Sequence, residues 1–145
     1  MNGTLPLVNF EQAKRLKELD FDWTTLEMYF YDLDNPTEQS NPVNWVEDIG
    51  HALMNWNSYI TNGEIYMSRP SISVAIRWFR EVKKIYINVI PVDSWECWTY
   101  RILCEDIMSP FFVPFKIDEE FKTYDLAESA ALTKAFTIYF YQQQT

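Results

Sequence analysis

SRPSISVAIRWFREVKKIYINVI, residues 68–90, is the stretch on which the fold turns. Ser68 stands where a helix N-cap would and Pro70 falls in the first turn, with Ile72, Val74, Ala75, Ile76, Phe79 and Val82 recurring as an apolar side. This predicts a helix from Ser68 to about Lys83. The period then changes, because Ile85, Ile87 and Val89 alternate with Tyr86, Asn88 and Ile90 as a strand does. A turn around Pro91 to Trp95 leads to a second alternating run, Cys97 to Cys104, and the two runs read as a hairpin.

Toward the N-terminus, Asn9 to Leu19 reads as a helix capped by Asn9, with Asp20 as its stop. In Trp23 to Tyr31, Leu26, Met28 and Phe30 alternate with Glu27, Tyr29 and Tyr31, which predicts a half-buried strand. Residues 33–43 read as a mobile loop bracketed by Asn35-Pro36 and Asn41-Pro42. From Asn44, the residues Trp45, Val46, Ile49, Leu53 and Trp56 fall at helical spacing. The runs Trp56 to Ile60 and Glu64 to Met67 flank Thr61-Asn62-Gly63, and Asn-Gly between such runs predicts a hairpin.

Toward the C-terminus, Ser109-Pro110 and Pro114 interrupt an aromatic stretch, which reads as an edge strand or an irregular cover. Asp118-Glu119-Glu120 is expected to be a solvated charge cluster. Thr123 caps a helix through about Tyr141 that carries Leu126, Ala127, Ala130, Ala131, Phe136 and Phe140, and residues 142–145 should fray. Helices separated by hairpins argue for one α+β domain over 1–145, an antiparallel sheet of about four to five strands with two or three helices on one face.

Composition limits the function classes. At 145 residues with 48% hydrophobic content, the chain can bury a core without staples. Aromatics reach 17%, more rings than a core of that size comfortably hides, so some are expected to meet a partner. Residues 1–72 hold eleven acids against four bases, and residues 73–145 hold ten against eight, giving the net charge of −9. Such a surface repels phosphate backbones, so no nucleic-acid partner is expected. Cys97 and Cys104 lie seven residues apart in one strand, roughly 23 Å, on opposite faces, and cannot bridge each other. With no secretory or membrane-spanning segment either, a cytoplasmic address is expected.

Chemistry-bearing motifs are not found. His51 is the single histidine and lies beside no nucleophile, so it reads as a surface residue. One His and two diverging Cys cannot supply a tetrahedral zinc set, and Asp118, Glu119 and Glu120 lack calcium-loop spacing. Three glycines, Gly3, Gly50 and Gly63, build no phosphate loop. No catalytic, cofactor-binding or metal residue is therefore assigned, and no cofactor is expected. Two interaction candidates emerge. Arg77, Arg80 and Lys84 fall at i, i+3 and i+7 as a basic stripe, which could meet an acidic partner or simply complement the helix dipole. Trp95 in the hairpin turn, with Trp98 nearby, is hard to bury within the domain.

Three stretches taken together, EQAKRLKELDFDW (11–23), SRPSISVAIRWFREVKKIYI (68–87) and FKTYDLAESAALTKAF (121–136), resemble a family of small uncharacterised proteins from phages, prophages and mobile elements of gut Bacteroidetes. The resemblance spans about a third of the chain. It departs at Asp20, where that family is expected to carry glycine, and in the inserted, Trp-rich 33–56 region. The resemblance implies a phage or mobile-element context, with the cytoplasm of a bacterial host or a virion as the expected address, and brings no catalytic residue. The expected function is a non-enzymatic interaction protein, either an assembly component or an accessory factor. An acidic inhibitor imitating nucleic acid and an enzyme with unrecognised carboxylate catalysis are the alternatives.

Overall fold

The computed structural model describes residues 5–32, 53–59, 63–92, 96–104 and 119–143. These residues are α+β, with three α-helices and two antiparallel sheets of two strands each. The chain divides into two compact units, Leu7–Ser71 and a second made of Met1–Pro6 with Ile72–Thr145. No helix among the described residues is long and apolar enough to cross a membrane.

In the first unit, helix α1 (Phe10–Glu18) opens on the Asn9 cap as its sequence predicts. Gln12 N–H donates to Asn9 Oδ1 at 2.8 Å, and Asn9 N–H donates to Gln12 Oε1 at 3.0 Å, so two orphan donors of the first turn are satisfied reciprocally. Asp20 does stop the helix: at φ 63° it takes the left-handed conformation that asparagine and aspartate tolerate. Phe21 N–H then reaches Leu16 O, and Asp20 N–H reaches Lys17 O, the paired bonds of a Schellman ending. Phe21 and Leu16 are both buried behind that turn.

Strand β1 (Met28–Asp32) pairs with β2 (Glu64–Ser68), from Met28↔Ser68 to Asp32↔Glu64. Both faces of this ribbon are covered. On one, Met28 packs with Trp56 and Tyr66; on the other, the Phe10 ring of α1 meets Tyr29 and Tyr31 edge-on. The half-buried alternation expected for this strand is therefore corrected, because Met28 and Tyr29 are both buried while Leu26 is exposed.

Two further readings change here. The Asn-Gly hairpin does not form between 56–60 and 64–67, since β2 takes β1 as its partner and Trp56–Ser58 is a 3₁₀ turn capped by Asn55. Non-local packing overrides the local turn signal: the Trp56 indole donates to Thr25 O at 2.8 Å, and its backbone N–H donates to Ser68 Oγ at 3.1 Å. Ser68 is accordingly no helix cap. It is a fully buried strand residue whose hydroxyl serves Trp56. The helical reading of 44–56 lies outside the described residues up to 52; beyond them Leu53 is exposed and Met54 bridges Thr25. The 33–43 loop, the 105–118 stretch and residues 144–145 also lie outside the described residues.

In the second unit, α2 (Ile72–Trp78) starts four residues later than predicted and passes into a π-helical turn, Phe79–Lys83. The buried set is Ile72, Ala75, Trp78 and Phe79, while Val74 and Val82 of the predicted apolar side are exposed: Val74 lies two residues past Ile72, across α2 from it, and the π turn widens the spacing before Val82. Lys84, at φ 58°, ends the turn. Strands β3 (Ile85–Val92) and β4 (Cys97–Cys104) then form the predicted hairpin, in register from Ile85↔Cys104 to Val92↔Cys97. Pro91 belongs to the strand rather than the turn.

Helix α3 (Tyr124–Gln143) is capped by Thr123, whose hydroxyl accepts Leu126 N–H at 3.1 Å. It packs on β3, β4 and α2. Its contact side is Ala127, Ala131, Leu132, Ala135 and Phe136, all buried, and the alanines let the helix approach the sheet closely. Leu126, placed on that side by the sequence, is exposed instead. The four strands thus divide between two sheets among the described residues, where a single sheet of four to five was expected. Cys97 and Cys104 form no disulfide.

Candidate functional site

The densest chemistry of the second unit lies where β4 meets the start of α3. Trp98 and Phe121 exchange two backbone hydrogen bonds of 2.7 Å each, which fastens residue 121 to the outer edge of β4. This places Tyr124, the first residue of α3, edge-on against the Trp98 ring at 5.3 Å. Two residues along β4, the Tyr100 ring lies 6.0 Å from Phe121 and its hydroxyl faces Glu119 Oε2 at 3.4 Å. Burial and the neighbouring Glu119 carboxylate push the Tyr100 phenol up to about 12.

One helical turn beyond Tyr124 stands Glu128, buried and hydrogen-bonded to the Tyr124 hydroxyl. Burial raises its carboxyl above the ordinary range and Asp125 adds to this, while the tyrosine bond opposes it. The Tyr124 phenol is raised in turn, chiefly by burial and then by Glu128. A carboxyl that binds its proton more tightly folded than unfolded adds stability below the ordinary carboxylate range, and loses it as pH rises through the raised value. Glu128→Gln should therefore raise the melting temperature at pH 7, with the gain shrinking toward pH 4. Equal melting temperatures at pH 7 would show that burial of this carboxyl has no energetic weight.

The residues singled out from sequence fall in different places. Trp98 is half-buried within this cluster, and Trp95 lies outside the described residues. Arg77 Nε pairs with Glu81 Oε1 at 2.8 Å, an exposed i, i+4 bridge whose hydrogen bond holds the glutamate below its usual range. Arg80 and Lys84 are exposed. The π turn and the left-handed Lys84 break the α-helical spacing on which a continuous basic stripe depends. Lys83, not singled out from sequence, is held instead by two rings, 5.4 Å from the Trp78 centroid and 5.1 Å from that of Tyr139.

Comparison with family models, curated proteins and solved structures finds no match. The chemistry of the site therefore rests on this chain alone. Among the described residues no group of His, Cys, Asp and Glu could hold a metal ion. Glu119 and Glu120 are exposed, as the solvated-cluster reading holds, though Glu119 is also engaged by Tyr100; His51 and Asp118 lie outside the described residues. Sequence reasoning missed Tyr124 and Glu128. The available signal was their i, i+4 spacing directly after the Thr123 cap, where both project from the same side of a helix start.

Proposed function

We propose that this chain is a non-enzymatic protein of phage or mobile-element origin that works through protein–protein contact, as an assembly component or an accessory factor. The observation that carries this reading is the exposed Tyr124 ring at the first turn of α3, with Leu126, also exposed, on the other side of that turn. Tyr124 is 44% exposed and Leu126 56% exposed, and Trp98 backs the tyrosine ring edge-on. Rigid rings of this kind add contact area while losing little conformational freedom on docking, as interface anchors do. The neighbouring exposed residues Glu119, Glu120, Lys122 and Asp125 carry a net negative charge, which suits a polar or basic partner surface.

The alternatives gain less support. An acidic imitation of nucleic acid needs carboxylates spaced along one face, whereas on α1 Glu11 and Glu18 are interleaved with Lys14, Arg15 and Lys17, and Arg15 pairs with Glu18 at 3.2 Å. Carboxylate catalysis needs two acids free to act on a substrate, whereas Glu119 and Glu128 each engage a tyrosine hydroxyl.

The test is a pull-down from the native host with the wild-type chain and with Tyr124→Ala/Leu126→Ala, followed by sizing of the complex. Because Tyr124 also hydrogen-bonds the buried Glu128, the melting temperature of the double variant is measured first and the pull-down is run where both chains are folded. A stoichiometric partner retained by the wild type and lost by the variant is the expected result. Equal retention by both, or no retained partner at all, overturns the reading.

A further inference from the structure

The chain seats its own cations on rings. The Arg69 guanidinium lies 4.7 Å from the centre of the Tyr29 ring, and Glu27 adds a negative charge near the same phenol. Lys83 is shared between Trp78 and Tyr139. The face of such a ring is electron-rich and attracts a cation placed over it, and a carboxylate close by strengthens the attraction.

Tyr124 has the ring and the carboxylates of that arrangement. Its side chain is 44% exposed, and among the described residues no Lys or Arg lies over its ring. Trp98 supports the ring edge-on at an interplanar angle of 83°. After burial, Glu128 and then Asp125 raise the Tyr124 phenol, which sets both carboxylates close to it. Asp125 has an ordinary reason to stand in the first turn, since a negative charge complements a helix N-terminus. Glu128 has none of that kind. It is 7% exposed, and burial first, then Asp125, work against its charge. A carboxyl held in this way beside the hydroxyl of an exposed ring has the surroundings found at binding sites.

We propose, resting on the reading of this patch as a docking surface, that it takes a cationic side chain of a partner protein, arginine or lysine, seated over the Tyr124 ring and drawn by Asp125 and Glu128. Charge complementarity selects this occupant. The exposed neighbours are three acids, Glu119, Glu120 and Asp125, against the single base Lys122, in a chain of net charge −9. An acidic partner is repelled there, and a neutral side chain of the same shape gains contact with the ring but nothing from the carboxylates. A cation gains from both, and it relieves the unfavourable charge of Glu128 as it docks.

The probe is a blocked Gly-Arg-Gly peptide, compared with its citrulline counterpart, whose side chain has the same shape and no charge. Each is titrated into the full chain and followed by NMR at the Trp98 indole N–H and the Tyr124 and Asp125 amides. The arginine peptide should give saturable shifts that fade with added salt, and the citrulline peptide should bind more weakly by about fivefold or more. Asp125→Asn/Glu128→Gln should lose this preference, while Glu11→Gln/Asp22→Asn, an equal change of charge at exposed residues of the first unit, should keep it. No saturable shift, equal binding of the two peptides, shifts centred on other residues, or a preference that survives Asp125→Asn/Glu128→Gln each overturns the proposal. The docking reading fails separately. A partner lost by Tyr124→Ala/Leu126→Ala but retained by Asp125→Asn/Glu128→Gln keeps the docking surface and overturns its recognition of a cation, whereas a partner retained by all three chains overturns both.

Discussion

Phe79→Ala should cost about 3 to 5 kcal/mol of unfolding free energy, the usual range for truncating a buried aromatic. Phe79 is fully buried, and its ring meets Trp78 edge-on at 5.4 Å and Phe136 at 5.2 Å. It is the first residue of the π turn, so the cavity left by alanine opens between that turn and α3. Neither side can close it easily: the turn is held by Lys84 N–H bonding back to Phe79 O, and α3 already approaches through alanines. Urea titration of the variant measures the loss. A value under about 1 kcal/mol would mean that the core lies elsewhere.

Trp56→Ala should be as severe, at about 3 to 5 kcal/mol, and the damage should be felt in β1 and β2. The indole is fully buried, lies 6.1 Å from the Tyr66 ring and 5.7 Å from Tyr59, and donates to Thr25 O. Trp56→Phe separates the two contributions. It keeps much of the ring stacking but removes the indole donor to Thr25 O, which still accepts Met54 N–H at 3.3 Å, for a loss of about 1 kcal/mol. Denaturant titration of both variants against wild type provides the comparison. If the phenylalanine variant loses as much as the alanine variant, the hydrogen bond dominates and the ring packing adds little.

The parts of this fold legible in the sequence are those decided by neighbours in the chain. The Asn9 and Thr123 caps, the Asp20 stop, the helix that follows Thr123, which runs two residues beyond the predicted end at Tyr141, and the β3–β4 hairpin each depend on residues a few positions apart. What the sequence concealed was decided by distant partners. Ser68 looks like a cap preceding a proline, and only Trp56, twelve residues earlier, makes it a buried strand residue. Asn62-Gly63 signals a hairpin, but β1 competes for β2 and wins because the pairing buries Met28, Met67 and Tyr29 together. The π turn defeats any fixed helical period, which is why Val82 seemed buried, while Val74 simply falls across α2 from Ile72.

The candidate site was legible by half. Trp98 was singled out for its aromatic excess, but the strand edge that delivers Tyr124 to it depends on the Phe121 bridge, twenty-three residues along the chain. Glu128 was invisible because a buried carboxylate has no compositional mark among twenty-one acids.

Ile72 N–H donates to Pro6 O at 2.9 Å, and immediately beside them Leu7 forms an antiparallel bridge with Ser71. The intervening sixty-five residues therefore depart and return at a single stitch, like a clause set in parentheses. Lifting out residues 7–71 and splicing Pro6 to Ile72 asks the remaining chain to span no gap. The removed piece has adjoining ends, the geometry that surface-turn grafting and circular permutation both require. A genome could acquire or shed this parenthesis in one recombination event, and the sentence around it would still parse.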